Sequence, residues 1–369
     1  MKIAMLGHKR IPSREGGVEV VVEELATRMV ERGHQVVAYN RKGKHVSDPN
    51  YSISNIKEYK GVKIKQVATI DKKGLNALIY SVFATIRVLF GKYDVVHFHA
   101  ERPCAMLWLT KLFGIRTIAT IHGLDWQRSK WGGFATKYLK HGEKVAAEKA
   151  DVVIVLSKNM QRYFLDNYNR ETVYIPNGLT MPTRREAELI QKKWGLQKEE
   201  YILFLARIVP EKGVHYLIDA FKQLDTHKKL VIAGGASHSS EYYQEIQEKA
   251  KSDPRIVMTG FVQDELLEEL YSNCCLYVLP SDVEGMPISL LEAMGYGRRC
   301  LVSDIPENSE LALEHARYFR HGDVEDLVRQ LKLAIQEEKV DAPENITYVQ
   351  ENFNWDSIVE RTLEVYKDA

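Results

Sequence analysis

The sequence predicts an α/β protein made of two doubly wound parallel-sheet halves. Three observations carry this. Short β-branched runs alternate with longer segments of helical period along the chain. The alternation is interrupted near residue 176, where Pro176, Asn177, Gly178 and Pro182 mark a linker, and then restarts. The 369 residues, 45% of them hydrophobic, suffice for two cores.

In the first half, "KIAMLG", "QVVAYN", "VKIKQVA", "YDVVHFH", "RTIATIHG" and "DVVIVLS" read as strands. The opening "MKIAMLG" suits a first strand better than a charged-then-apolar signal. "VEVVVEELATRMVERG" has the clearest helical period, with Gly33 as its stop. "GLNALIYSVFATIRVLFG", Gly74 to Gly91, is apolar but carries Asn76, Ser81, Thr85 and Arg87. It is short for a membrane span and reads as an amphipathic or core helix. In the second half, "YILFLARI", "KLVIAGG", "RIVMTGF", "CLYVLPS" and "RCLVSD" read as strands. The closing "FNWDSIVERTLEVYKDA" is a helix that could join either half. We assign residues 1–175 to a first domain, 176–354 to a second, and the helix 355–369 back to the first.

The net charge of +1 hides an asymmetry. Residues 1–175 hold 29 Lys and Arg against 16 Asp and Glu; the rest hold 22 against 34. Either the halves attract each other, or the basic half faces an anionic acceptor or membrane surface. Cys104, Cys274, Cys275 and Cys300 have no metal-ligand spacing and read as core residues of a reducing compartment.

In open α/β sheets, ligands bind beyond the carboxyl ends of the strands. Gly16 and Gly17 precede the first helix, where paired glycines let backbone N–H groups approach an anion. The G-x-G-x-x-G fingerprint of nicotinamide proteins is absent there, and Asn40-Arg41 stands where such a protein wants an acid, which disfavours an oxidoreductase. "ARIVPEKG" sets Arg207 and Lys212 at the end of a strand, suited to a diphosphate or, as a solvated turn, to pairing with Glu211. "EGMPISLLEAMGYG" carries Glu284 and Glu292 with seven residues between them. Pro287 suits a helix start, which puts Glu284 at the mouth and Glu292 inside an otherwise apolar helix. An acid there needs a partner, and sugar hydroxyls are one. His97, His99 and Glu101 alternate in "HFHAE", as a strand would present a metal site, but the chain has no Asp-x-Asp pair to hold a diphosphate metal. "HGLDWQRSKWGGF" offers aromatics and cations, fit for a sugar-phosphate or for packing on the domain. Lys137, Lys140 and Lys144 share a helix face, and with Lys72 and Lys73 could meet anionic lipid.

Taken with "IPNG", "GGVE" and the closing "FNWDSIVERTLEVY", these motifs resemble the retaining glycosyltransferases of family 4 over nearly the full length. "GHKRIPSREGGVEVVVEEL" is further similar to bacterial cell-surface polysaccharide enzymes, rhamnosyltransferases among them. The resemblance implies the GT-B fold, two Rossmann-like domains facing across a cleft. It implies that Glu284 contacts donor-sugar hydroxyls, Glu292 the nucleotide ribose, and Arg207 and Lys212 the diphosphate. It gives donor-side backbone roles to Gly16, Gly17, Gly285, Met286 and Ile288, places the base near Phe261 and Val262, and makes His122 the donor-sugar histidine. Family loops more often read Glu-Gly-Phe-Gly where this chain has "EGMP". Candidates for the acceptor are His99, Glu101, Asp125, Trp126 and Arg128.

The implied reaction is metal-independent retaining transfer from a UDP-, dTDP- or GDP-sugar to a saccharide, lipid-diphosphate-linked, with no cofactor and no nucleic acid. The implied setting is the cytoplasm, peripheral at the inner face of the plasma membrane. A GT-B epimerase or hydrolase and a non-catalytic nucleotide-sugar binder are the other readings.

Overall fold

The computed structural model describes residues 1–43, 46, 56–72, 75–127, 133–235, 240–337 and 339–367. The chain divides into two compact units, Met1–Gly178 with Trp355–Ala369, and Leu179–Asn354.

The first unit holds β1 (Lys2–Leu6), β2 (Gln35–Lys42), β3 (Glu58–Tyr59), β4 (Val62–Ala68), β5 (Val95–His99), β6 (Arg116–Ile121), β7 (Val152–Val155) and β8 (Val173–Tyr174). Their order is β3-β4-β2-β1-β5-β6-β7-β8, parallel except for the β3–β4 pair. The helix Gly17–Glu31 buries Val21, Val22, Leu25, Ala26 and Met29 at helical spacing, and Gly33 beyond it takes φ 83°. The helix Trp355–Lys367 also belongs to this unit. Its Tyr366 hydroxyl lies 2.6 Å from His97 Nδ1, and Arg116 donates to the Val365 carbonyl at 2.8 Å. Asp356 meets Arg32 at 2.8 Å and Arg28 at 3.3 Å. Gly178 accommodates Trp355: a Cβ there would stand 2.5 Å from the indole.

The second unit holds β9 (Tyr201–Leu205), β10 (Lys229–Ala233), β11 (Ile256–Gly260), β12 (Leu276–Leu279), β13 (Cys300–Ser303) and β14 (Arg317–Phe319). They form one parallel sheet ordered β11-β10-β9-β12-β13-β14. The period of two divides β9 between two cores. Leu203 packs with Leu290, Leu291 and Met294, while Ile202 and Phe204 pack with Leu217, Phe221 and Leu331. Each such fully buried side chain contributes about 1.5–3 kcal/mol. Both faces covered by helices explain the near-continuous apolar runs of these strands.

Strand order reverses on either side of β1, which lies between β2 and β5, and of β9, which lies between β10 and β12. Such switch points open crevices at the carboxyl strand ends. They direct attention to the loops after β1 and β5 in one unit and after β9 and β12 in the other.

Candidate functional site

In the second unit the loops after β9 and β12 meet. Lys212, in a short 3-10 turn (Pro210–Lys212), places its ammonium 2.5 Å from Glu284 Oε1, and the Ser281 hydroxyl donates to the same oxygen at 2.6 Å. Asp282 N–H donates to the Glu211 carbonyl at 2.9 Å, so the backbones are tied as well. Gly213 makes this approach possible: its φ is +65°, and a Cβ would sit 1.9 Å from the Pro280 carbonyl oxygen. The turn's lysine therefore pairs with Glu284 from the other loop, rather than with its neighbour Glu211. Glu284 is buried, and its loop is braced from behind: Ser303 donates to the Ser281 carbonyl at 2.6 Å, and Asn308 to the Ser303 carbonyl at 3.0 Å.

Arg207 stands half-buried just past β9, where Ala206 N–H bonds Ala233 and Ile208 N–H bonds Gly235. Phe261 lies beside Gly235, which puts it on the same side as Arg207's loop. Val262 has its side chain in the core, so only its backbone is available to a ligand.

The helix Ile288–Gly295 begins one residue after Pro287, which caps it without an N–H of its own. Gly285 and Met286 lead into it, and its first amides lack intrahelical partners by construction. Glu292 lies a little over one turn in, half-buried, and its Oε2 accepts from the Tyr271 hydroxyl at 2.9 Å. Burial, then the Glu292 charge, pushes the Tyr271 hydroxyl well above the ordinary tyrosine value, so it stays a donor. Tyr277 holds Ser289 on the same helix at 2.8 Å.

In the first unit, Gly16 is extended and Gly17 opens the helix. That helix carries a buried acid in its first turn: Glu19 Oε1 accepts from Lys9 N–H at 2.8 Å. Burial alone would raise the Glu19 carboxyl, but Lys9, through charge and N–H, and the helix backbone hold it below the ordinary range.

His122 follows β6, and its Nε2 lies 3.1 Å from His99 Nδ1. Burial lowers His122 to about 4 and His97 to about 3, and holds His99 well below its ordinary value. The contact thus joins neutral imidazoles, one donating and one accepting. His97 is spent on structure, bonded to Tyr366 and, at 2.7 Å, to Thr120.

Glu101 departs from the expected alternation. Strand β5 ends at His99, Ala100 turns at φ 74°, and Glu101 opens the short helix Glu101–Cys104. Burial, then the Asp125 and Glu143 carboxylates, raise Glu101 well above the usual range. It is buried beside them rather than presented. Asp125 pairs with Arg102 at 3.6 Å. The Trp126 indole N–H donates to buried Glu143 at 2.9 Å, and that acid also accepts from Tyr163 at 2.7 Å and Tyr168. The aromatic loop is thus packed on its own unit. Arg128, Lys130 and Trp131 lie outside the described residues, as does Lys73.

Sequence reasoning did not find Ser281, Tyr271 or Glu143. Tyr271 and Glu143 act on partners in other elements, and Ser281 serves Glu284 within its own loop. Among the described residues, no group of three His, Cys, Asp or Glu is arranged to hold a metal.

Residues 15–181 match the family model Glycosyltransferase Family 4, and residues 186–365 match Glycosyl transferases group 1. An uncharacterized glycosyltransferase of Methanocaldococcus jannaschii is 25% identical, the match covering 100% of this chain and 98% of the relative. The Escherichia coli UDP-Gal:alpha-D-GlcNAc-diphosphoundecaprenol alpha-1,3-galactosyltransferase is 25% identical over 59% of each chain. In structure, the chain is similar to sucrose-phosphate synthase from Thermosynechococcus elongatus, with TM-score 0.84, 20% identity, and 99% and 98% of the two chains covered. It is also similar to Anabaena HepE in complex with UDP-glucose, with TM-score 0.81, 18% identity and 99% of each chain covered.

Proposed function

This chain belongs to the GT-B glycosyltransferases, a family 4 domain followed by a group 1 domain, and on that premise we propose that it transfers a sugar from a nucleotide-diphospho-sugar to a saccharide with retention of anomeric configuration and without a metal. The observation that carries this reading is the Lys212–Glu284 pair at the β9–β12 switch point, with Arg207 in the same loop as Lys212 and Glu292 in the helix that follows Glu284's loop.

In this reading the second unit holds the donor. Arg207 and Lys212 stabilise the charge that develops on the leaving diphosphate, the work a divalent ion would otherwise do. Glu284 grips sugar hydroxyls and orients Lys212. Glu292 binds the ribose, its free rotation removed by Tyr271. The base lies near Phe261 and the Val262 backbone. The amides of Gly285, Met286 and Ile288 face the phosphate and sugar, joined by Gly16 and Gly17. His122, neutral and oriented by His99, bonds a donor hydroxyl.

The acceptor hydroxyl attacks the anomeric carbon from the leaving-group side. As the carbon–oxygen bond to the phosphate breaks, the hydroxyl's proton passes to the departing phosphate oxygen. No protein carboxylate needs to act as nucleophile.

The donor we favour is a UDP-sugar, supported by the UDP-glucose in HepE and the UDP-Gal named for the Escherichia coli relative. That relative's name, with its GlcNAc-diphosphoundecaprenol, also supports a lipid-diphosphate-linked acceptor. The enzyme would then work at the inner face of the plasma membrane. A thermal-shift panel of UDP-, GDP- and dTDP-sugars, followed by transfer assays with the stabilising donor, tests the reading. If none of the panel stabilises the fold, the donor assignment fails.

A further inference from the structure

The helix Leu75–Leu89 packs one face on the first unit's sheet, burying Ala77, Tyr80, Ala84 and Val88. The opposite face of such a helix should be polar. Here it bears exposed Phe83 and Ile86, and Phe90, directly after the helix, is 83% exposed. The neighbouring helix Leu107–Leu112 packs against it and adds exposed Trp108, with Leu112 72% and Phe113 63% exposed. Single exposed apolar residues are ordinary, but six large ones on and just past two adjoining helices form a patch that calls for an occupant.

Charge identifies the occupant. Arg87 is exposed next to Ile86 on the first helix and donates to the Gln66 carbonyl at 2.6 Å. The helix Gly133–Lys149 packs against Leu107–Leu112 from the other side. Its exposed charges are Lys137, Lys140, Lys144 and Lys149, with Glu148 the exposed acid among them. Lys144 reaches Glu148 at 3.6 Å and Lys140 lies 4.1 Å from the Trp126 ring, which leaves the set strongly cationic. Aromatic and aliphatic side chains bordered by lysines match the acyl boundary and anionic headgroups of a bilayer. A second copy of this chain would set cations against cations. No helix among the described residues is long and apolar enough to cross a membrane, so the contact is one of lying on the surface.

We propose that the first unit docks on an anionic lipid bilayer, the patch around Phe90, Leu112 and Phe113 entering the interface and the Gly133–Lys149 lysines meeting the headgroups. This deepens the proposed lipid-linked acceptor but stands on different residues from the donor site.

The test is co-sedimentation with phosphatidylcholine vesicles, with and without phosphatidylglycerol, in the absence of donor and acceptor. The full chain should bind the anionic vesicles and release as salt rises. The triple variant Phe90→Asp, Leu112→Asp, Phe113→Asp should lose binding at least about tenfold, since each apolar side chain kept out of the interface costs on the order of that factor. The variant should keep the parent Tm and transfer to a water-soluble acceptor. Absence of binding by the parent, or equal binding by the variant, overturns the proposal. So does a dimer that the variant abolishes while vesicle binding stays absent, which would make the patch an interface between copies. Because no substrate is present, failure here leaves the transfer reading standing, and failure of transfer leaves docking standing.

Discussion

The Lys212 ammonium and the Glu284 carboxylate, 72 residues apart in sequence, face each other at 2.5 Å across two loops of the second unit. Each helps to hold the other in place, and Ser281 gives Glu284 a second partner. Glu284→Gln keeps the shape and the Ser281 hydrogen bond but removes the anion. We expect kcat to fall about 100-fold at saturating donor, the size of loss typical for a preorganised electrostatic group. Steady-state kinetics of the variant would decide; near-full transfer would remove Glu284 from the mechanism.

Lys212→Met should act on the diphosphate. Nucleoside diphosphate affinity should drop about 10- to 100-fold, as for loss of a charge-assisted contact. Calorimetric titration with UDP measures it, and an unchanged affinity counts against the assigned role.

Tyr271→Phe keeps the ring that stacks on Tyr296, centroids 5.2 Å apart, but removes the hydroxyl's hydrogen bond to Glu292. The variant should raise KM for the nucleotide-sugar several-fold at little change in kcat, and Glu292→Gln should raise it further. Inorganic pyrophosphate binding should stay the same in both. A parallel loss for pyrophosphate would show that the helix, not the ribose contact, had been disturbed.

The buried histidines make the first unit acid-sensitive. Burial lowers His97 to about 3 and His8 to about 4, against 6.5 when exposed. Between those values the unfolded chain binds more protons, so stability is full above 6.5 and falls as pH drops toward 4. By pH 5 each such histidine has withdrawn about 2 kcal/mol. His97→Gln should lower Tm at pH 7, where two hydrogen bonds are weakened, yet flatten its decline between pH 7 and 5. Equal slopes in parent and variant would overturn this.

Transfer should continue undiminished in excess chelator. A loss of activity that Mg²⁺ restores would show that Arg207 and Lys212 do not suffice for the leaving group.

The main strands were legible because their apolar runs are long and bounded by turn residues. β3, β8 and β14 were not read: at two or three residues they carry no period. The same limit governed the site. Arg207, Lys212, Glu284 and Glu292 stand in motifs, so their approximate place after a strand could be read. That Lys212 chooses Glu284 over adjacent Glu211 depends on Gly213 letting one loop approach Pro280, a tertiary fact. The placement of Glu101 on the strand was misread because a positive φ at Ala100 ends β5 at His99, two residues short. The stretch Gly74–Gly91 read as a core or amphipathic helix, and composition could not reveal that an apolar face would remain outside.

The closing helix carries a consequence for how the protein is made. Tyr366 meets His97, Val365 meets Arg116, and Trp355 fits against Gly178, so the first unit is completed by a helix that follows the whole second unit in sequence. The second unit, Leu179–Asn354, is continuous in sequence and lies between the two segments that make up the first. The unit that begins first in the sequence is therefore the later of the two to have all its parts. A chain lacking Trp355–Lys367 would carry a second unit with all its parts joined to a first unit without the helix that completes it.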